Sequence, residues 1–154
     1  MGAVRLVGSL LPVIPKTRAS KIVFISSMFG TISFPGKTAY ASSKSALEAY
    51  ARALQYEIPE LSIITVVPPA MSTQLVERGS HINAKMKEAE IRFMKKRGMN
   101  PDLAAKKIIA GIERGRSKIV PGRMTALSLW LARCFPRISV AMTKRFVRKS
   151  NFTR

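Results

Sequence analysis

The sequence predicts an α/β fold in which a short parallel sheet is covered by helices, and three observations carry that prediction. KIVFISS at 21–27 and SIITVV at 62–67 are short β-branched runs of the kind that fill buried parallel strands. Between them, from Thr38 to Glu57, no Pro or Gly interrupts a stretch rich in Ala and Leu, which is long enough to be the helix of a crossover. Asn100-Pro101-Asp102 then supplies a cap and a first-turn proline for another helix, running to about Gly115, and KIV at 118–120 follows as a third strand within 117–121.

The first element is a helix over 3–14, because Val4, Val7, Leu10, Leu11 and Ile14 recur mostly at three and four, with a kink or fraying at Pro12. After the first strand, MFGTISFPGK reads as loop. Within 38–57 the apolar repeat is Ala46, Leu47, Tyr50, Ala53 and Leu54, and Pro59 ends the helix. Pro68-Pro69 forces the chain out of the sheet after the second strand, Gly79 to Asn83 is open loop, and MKEAEIRFMKKR at 86–97 reads as a solvated helix or lid. The order is αβαβααβα, with no internal repeat.

Composition narrows the classes. With 154 residues, 47% hydrophobic and 23% charged, the chain can bury one core and is not a disordered tract. The single cysteine, Cys134, forms no internal disulfide and suits a reducing compartment, and with one histidine, His81, read as a surface loop residue, no metal site is expected. Arg5 interrupts the first apolar stretch and Arg133, Pro136 and Arg137 the last, so no spanning helix is expected, nor is a secretory leader read at the N-terminus. The formal charge of +19 is concentrated in the second half, where residues 81–154 hold 19 basic side chains against 4 acidic. Such a field attracts phosphate-bearing partners without selecting among them.

The chemistry gathers between 27 and 44. Tyr40 and Lys44 are four apart and share one helix face, so an ammonium can stand beside a phenol. A free phenol titrates near about 10, and a neighbouring cation favours its ionised form, which makes Tyr40 a candidate general acid/base. Ser27 closes the first strand, and ligands of parallel α/β sheets bind beyond the carboxyl ends of the strands, which brings its hydroxyl toward a substrate oxygen. Alone, YxxxK is a weak signal that chance supplies about once in every few basic sequences of this length. Its context makes it specific.

The stretch IVFISSMFGTISFPGKTAYASSKSALEAYARALQYEI, a strand ending in Ser-Ser, a small loop with Gly30 and then YxxSK opening a long helix, resembles the catalytic segment of the classical short-chain dehydrogenases/reductases. The resemblance implies the C-terminal half of a doubly wound, Rossmann-like parallel sheet of about three strands. It also implies an oxidoreductase moving hydride between a nicotinamide cofactor, NADP ahead of NAD, and an apolar carbonyl or alcohol. By the same resemblance Ser27 holds the substrate oxygen, Tyr40 exchanges its proton, Lys44 lowers the tyrosine pKa and holds the nicotinamide ribose, and Ser26 is structural.

In VVPPAMSTQ, Pro68 and Thr73 match the family positions that pack on the nicotinamide, while Pro69 replaces the usual glycine and removes an N–H. Pro-Pro at this place resembles the 3-ketodihydrosphingosine reductases, a subgroup that reduces a long-chain sphingoid ketone at a membrane. The family's glycine-rich GxxxGxG turn and first strands are not in this sequence, and MGAVRLVGSLLP resembles the helix ahead of the catalytic strand. The chain is therefore expected to lack activity by itself, to leave the 21–27 strand as a sheet edge and to self-associate.

Two regions result, a partial Rossmann-like catalytic region over 1–123 and a basic amphipathic helical tail over 124–154. In the tail Leu131, Phe135, Ile138 and Met142 separate from Arg133, Arg137, Lys144 and Arg148, with a kink at Pro136. Three readings stand for it: packing on the core with charges in water, lying on a membrane surface, and, last, binding nucleic acid; Trp130 and Phe135 suit either of the first two. The expected partners are a small carbonyl or alcohol substrate of lipid-like character, an anionic membrane surface and a second copy of the chain, with nucleic acid not expected. The expected location is the cytoplasm, at the periphery of a membrane. The rival to the enzyme reading is a non-catalytic remnant that serves as an interaction module.

Overall fold

A computed structural model describes residues 2–71 and 84–149 of the protein. Its first helix, α1 (Gly2–Leu10), is shorter than the expected 3–14. Pro12 has no N–H to continue the ladder, and the Leu11 and Ile14 N–H groups instead close turns onto the carbonyls of Val7 and Leu10. Val7 is buried and Leu11 and Ile14 nonetheless pack against the core, so most of the apolar repeat marks a face that outlasts the helix, whereas Leu10, counted in that repeat, is exposed.

Strands β1 (Lys21–Ile25), β2 (Ser62–Val66) and β3 (Lys118–Ile119) form one parallel sheet in the order β1-β2-β3, with Val23 opposite Ile64 and Val66 opposite Ile119. Each is shorter than its apolar run, and prolines explain where the ladder stops. The Ser26 N–H still donates to the Val66 carbonyl at 2.8 Å, but the returning donor in parallel pairing belongs to position 68, a proline. Across the second seam the Val67 N–H donates to Ile119 at 2.8 Å, and the next donor belongs to Pro121. Where the strands stop pairing thus follows from two residues that lack an N–H, Pro68 and Pro121.

Between β1 and β2 lies α2 (Thr38–Glu57), with the bounds expected of it. Its buried face is rotated from the expected repeat: Ala41, Glu48, Ala51 and Leu54 are buried and Leu47 and Tyr50 partly so, whereas Ala46 and Ala53 are exposed. Small alanines satisfy a periodicity count without having to face the sheet. The helices α3 (Ala84–Arg97) and α4 (Pro101–Glu113) follow, the latter capped by Asn100, whose Oδ1 accepts from the N–H groups of Asp102 at 2.8 Å and Leu103 at 3.2 Å. Gly115, at φ +66, turns the chain out of α4 toward β3.

Strand alternation splits the core in two. Ile22, Phe24 and Ile63 meet α1 and α2 on one face, with Val7, Ala51, Leu54 and Leu61, and the Tyr50 ring stands edge-on to Phe24 at 5.9 Å. Val23, Ile64, Val66 and Ile119 meet Ile108 and Ile112 of α4 on the other. Gly111 lets α4 approach this closely, since a Cβ there would lie 2.8 Å from Ile119 Cδ1. Helices on both faces of a parallel sheet make this a doubly wound arrangement.

The tail forms α5 (Arg123–Cys134) and α6 (Pro136–Lys149), a pair of helices interrupted where Phe135 leaves helical geometry and Pro136 opens α6. Thr125 and Leu129 anchor α5 in the body. Among the described residues no helix is long and apolar enough to cross a membrane.

Candidate active site

The three strands end on one side of the sheet, where the chain passes from β1 into Ser26-Ser27 and from β2 into Val67-Pro68. Ser27 lies two residues past β1 rather than within it, in extended geometry (φ −155, ψ 157). It caps a short 3-10 turn, Met28–Gly30, its Oγ accepting from the Phe29 N–H at 3.3 Å. That contact uses an acceptor lone pair and leaves the hydroxyl hydrogen available to a ligand oxygen.

Tyr40 stands in the first turn of α2 and Lys44 one turn later. The Lys44 ammonium donates to the carbonyl of Ile25, the last residue of β1, at 2.8 Å and lies 5.7 Å from the Tyr40 ring centroid, within cation–π range. One side chain therefore joins the end of the strand to the start of the helix. Ser45 Oγ donates to the Gly30 carbonyl at 2.6 Å, holding the Ser27 turn against α2, and Phe29 meets the Tyr40 ring edge-on at 6.3 Å. Tyr40 is 41% exposed and Ser27 half-buried, so the cluster opens to solvent.

Beneath it lies a polar network centred on the buried Ser26 and Glu48, with no counterpart in the sequence motif. Ser26 Oγ donates to Glu48 Oε1 at 2.8 Å, and Lys118 Nζ reaches Glu48 Oε2 at 3.2 Å. Ser26 continues the parity of Ile22 and Phe24, and Lys118 pairs in register with Thr65, so both turn toward α2. Glu48 is one turn past Lys44 and sits on the row Ala41, Lys44, Glu48, Ala51 that faces the sheet. That row, read at seven-residue spacing, was the available signal. Gly30 completes the packing: a Cβ there would lie 2.7 Å from Glu48 Oε1 and 3.2 Å from the Lys44 backbone carbon. The Ser27 turn thus rests on the helix that carries Tyr40 with no room for a side chain between them.

Pro68 and Pro69 are partly buried at the exit of β2, and Pro69 packs on Gly122, where a Cβ would stand 3.0 Å from its own. Thr73 lies outside the described residues, as do His81 and the 79–83 loop. Lys37, just before α2, pairs with Glu90 of α3 at 2.9 Å, tying the helix considered as a lid to the start of α2. Among the described residues no three His, Cys, Asp or Glu side chains gather as a metal site would require.

An open parallel sheet with helices on both faces defines the fold class. The family model described as short chain dehydrogenase matches residues 1–83, and the chain belongs to that family. It is 28% identical over 97% of its length to the Dehydrogenase/reductase SDR family protein 7-like of Drosophila melanogaster, covering 47% of that protein. It is 30% identical over 89% of its length to Dehydrogenase/reductase SDR family member 7B of Xenopus laevis, covering 43% of that protein. A crystal structure of a short-chain dehydrogenase from Streptomyces avermitilis superposes with a TM-score of 0.60 at 24% identity, over 84% of this chain and 52% of the other. The chain spans about half the length of the relatives it matches.

Proposed function

We propose that residues 1–154 carry the catalytic half of a nicotinamide-dependent oxidoreductase acting on an apolar carbonyl or alcohol. The observation that carries this reading is the Lys44 ammonium held between the Ile25 carbonyl and the Tyr40 ring, at the strand end from which the chain runs on to Ser27. A phenol, an ammonium and a free hydroxyl hydrogen on one exposed edge fit the nicotinamide end of such a cofactor and a substrate oxygen next to it. Pro68 and Pro69 offer an apolar wall at the neighbouring strand end, and Thr73 is assigned to the same end by its place in the motif. When bound, the nicotinamide supplies or accepts the hydride. Ser27 would hydrogen-bond the substrate oxygen, Tyr40 would give or take the proton of that oxygen, and Lys44, which places positive charge beside the phenol, would have N–H bonds left over to hold the ribose.

The test of the chemistry belongs to a chain in which residues 1–154 are joined to a glycine-rich nucleotide loop. There Tyr40→Phe is expected to lower kcat by at least about a hundredfold, the contribution of a positioned acid/base, while the thermal midpoint stays put. A Tyr40→Phe protein with near wild-type kcat overturns the assignment. For residues 1–154 alone, weak binding and no turnover are expected, since this stretch contains no glycine-rich cradle for the pyrophosphate. Titration calorimetry with NADH and NADPH reads that directly, and micromolar affinity with measurable hydride transfer would refute it. Turnover of a model ketone by the joined chain separates the enzyme from a non-catalytic interaction module, which would show none.

A further inference from the structure

The last helix is divided lengthwise into three rows. Ser139, Thr143 and Val147 are half-buried and face the body. Arg137, Lys144 and Arg148 are exposed along one flank, and no acidic residue follows Glu113 in the sequence. Between these rows Ile138, Met142 and Phe146 stand at four-residue spacing, 54%, 61% and 54% exposed. An apolar row this exposed, beside a row of cations with no carboxylate on the same helix, is costly to leave in water and has an obvious complement.

The row also leads somewhere. The Phe146 ring lies 5.9 Å from Phe34, Phe34 lies 6.1 Å from Phe29, and Phe29 meets Tyr40 at 6.3 Å. Four aromatic rings thus connect the outer face of α6 to the candidate acid/base.

We infer that α6 is a docking surface for an anionic lipid bilayer, oriented so that the Phe146–Phe34–Phe29 row opens the Tyr40 site toward the hydrocarbon. Acyl chains receive Ile138 and Met142, and headgroup phosphates receive Arg137, Lys144 and Arg148, whose long stems let the charges stay at the interface. A nucleic acid would satisfy the cations but leave the apolar row uncovered, and an acidic protein would need an apolar groove of matching length. The docking stands on charge and exposure alone. Its consequence, that the substrate is a lipid with its carbonyl or hydroxyl near one end, rests on the oxidoreductase reading.

The experiment is flotation of the full 154-residue chain with vesicles of phosphatidylcholine, with and without one third phosphatidylserine. Binding is expected only to the serine-containing vesicles. Arg137→Gln, Lys144→Gln and Arg148→Gln together should weaken it on the order of a hundredfold, about fivefold per charge. Met142→Asp should abolish it with unchanged circular dichroism, as expected of a side chain already in solvent. For orientation, Phe34→Trp in a Trp130→Phe background leaves one indole, expected to be quenched by lipids brominated along their acyl chains. Equal binding to neutral and anionic vesicles, indifference to the triple substitution, or tight binding of duplex DNA without vesicle binding would overturn the docking. Vesicle binding with no quenching at position 34 would overturn the orientation. No turnover is measured, so each failure is distinct from failure of the oxidoreductase reading.

Discussion

Two helices of this chain, α2 and α6, each carry an apolar row, and they meet opposite fates. On α2 the row Ala51 and Leu54 is sealed against the sheet, and even the carboxylate that shares the face, Glu48, is buried and paired. On α6 the row Ile138, Met142 and Phe146 stands largely in solvent, while the side packed on the protein holds Ser139 and Thr143. The difference teaches that amphipathicity marks a face that needs covering without saying what covers it. For α2 the cover is a sheet whose own alternation presents Ile22, Phe24 and Ile63 to it. For α6 the charge pattern points outward.

Substitutions can break that comparison or sharpen it. The largest effect is expected at Leu54, where Leu54→Ala should cost about 2–5 kcal/mol in urea unfolding, the range for a buried leucine whose site cannot collapse. A loss below about 1 kcal/mol would mean that the α2 face is not sealed. Gly30→Ala comes next, at roughly 1–3 kcal/mol, because its Cβ must displace the buried Glu48 carboxylate or the backbone of α2. A crystal structure of that variant should show the Glu48 carboxylate displaced or the 28–30 turn shifted away from Lys44, and neither having moved would contradict the packing described. The smallest belongs to α6: Met142→Ser should change stability by no more than about 0.5 kcal/mol in the same assay. A loss near that of Leu54→Ala would show that α6 is covered in the folded protein by the chain itself or by a second copy.

Much of the fold was legible along the chain, for local reasons. The bounds of α2 followed from an unbroken stretch of helix formers between loop signals, and the start of α4 followed from Asn100-Pro101, whose capping is a property of neighbouring residues. The strands were located correctly and overextended. Apolar runs report where a strand can lie, whereas its length depends on whether the opposite strand still offers an N–H, and Pro68 and Pro121 do not. Helix 3–14 was overextended for the matching reason, a proline inside an apolar repeat. Ser27, Tyr40 and Lys44 were visible as a motif because their spacing is short. Glu48 and Lys118 were invisible as a pair because 70 positions separate them, and only the register of β3 on β2 brings them together.

By itself the sequence determined the class of fold, the helix that carries Tyr40 and Lys44, the strand end that carries Ser27, and the segregation of charge into the tail, all of which rest on residues within a few positions of one another. Tertiary structure alone decided that Lys44 bonds the carbonyl of Ile25, that Glu48 is buried beneath the site, that Gly30 must be a glycine, and that an aromatic row joins α6 to Tyr40. Local propensity acts over one or two turns of chain. Which distant group fills a buried polar contact or a gap of a few ångströms is settled only when the sheet aligns its strands and the helices close on them.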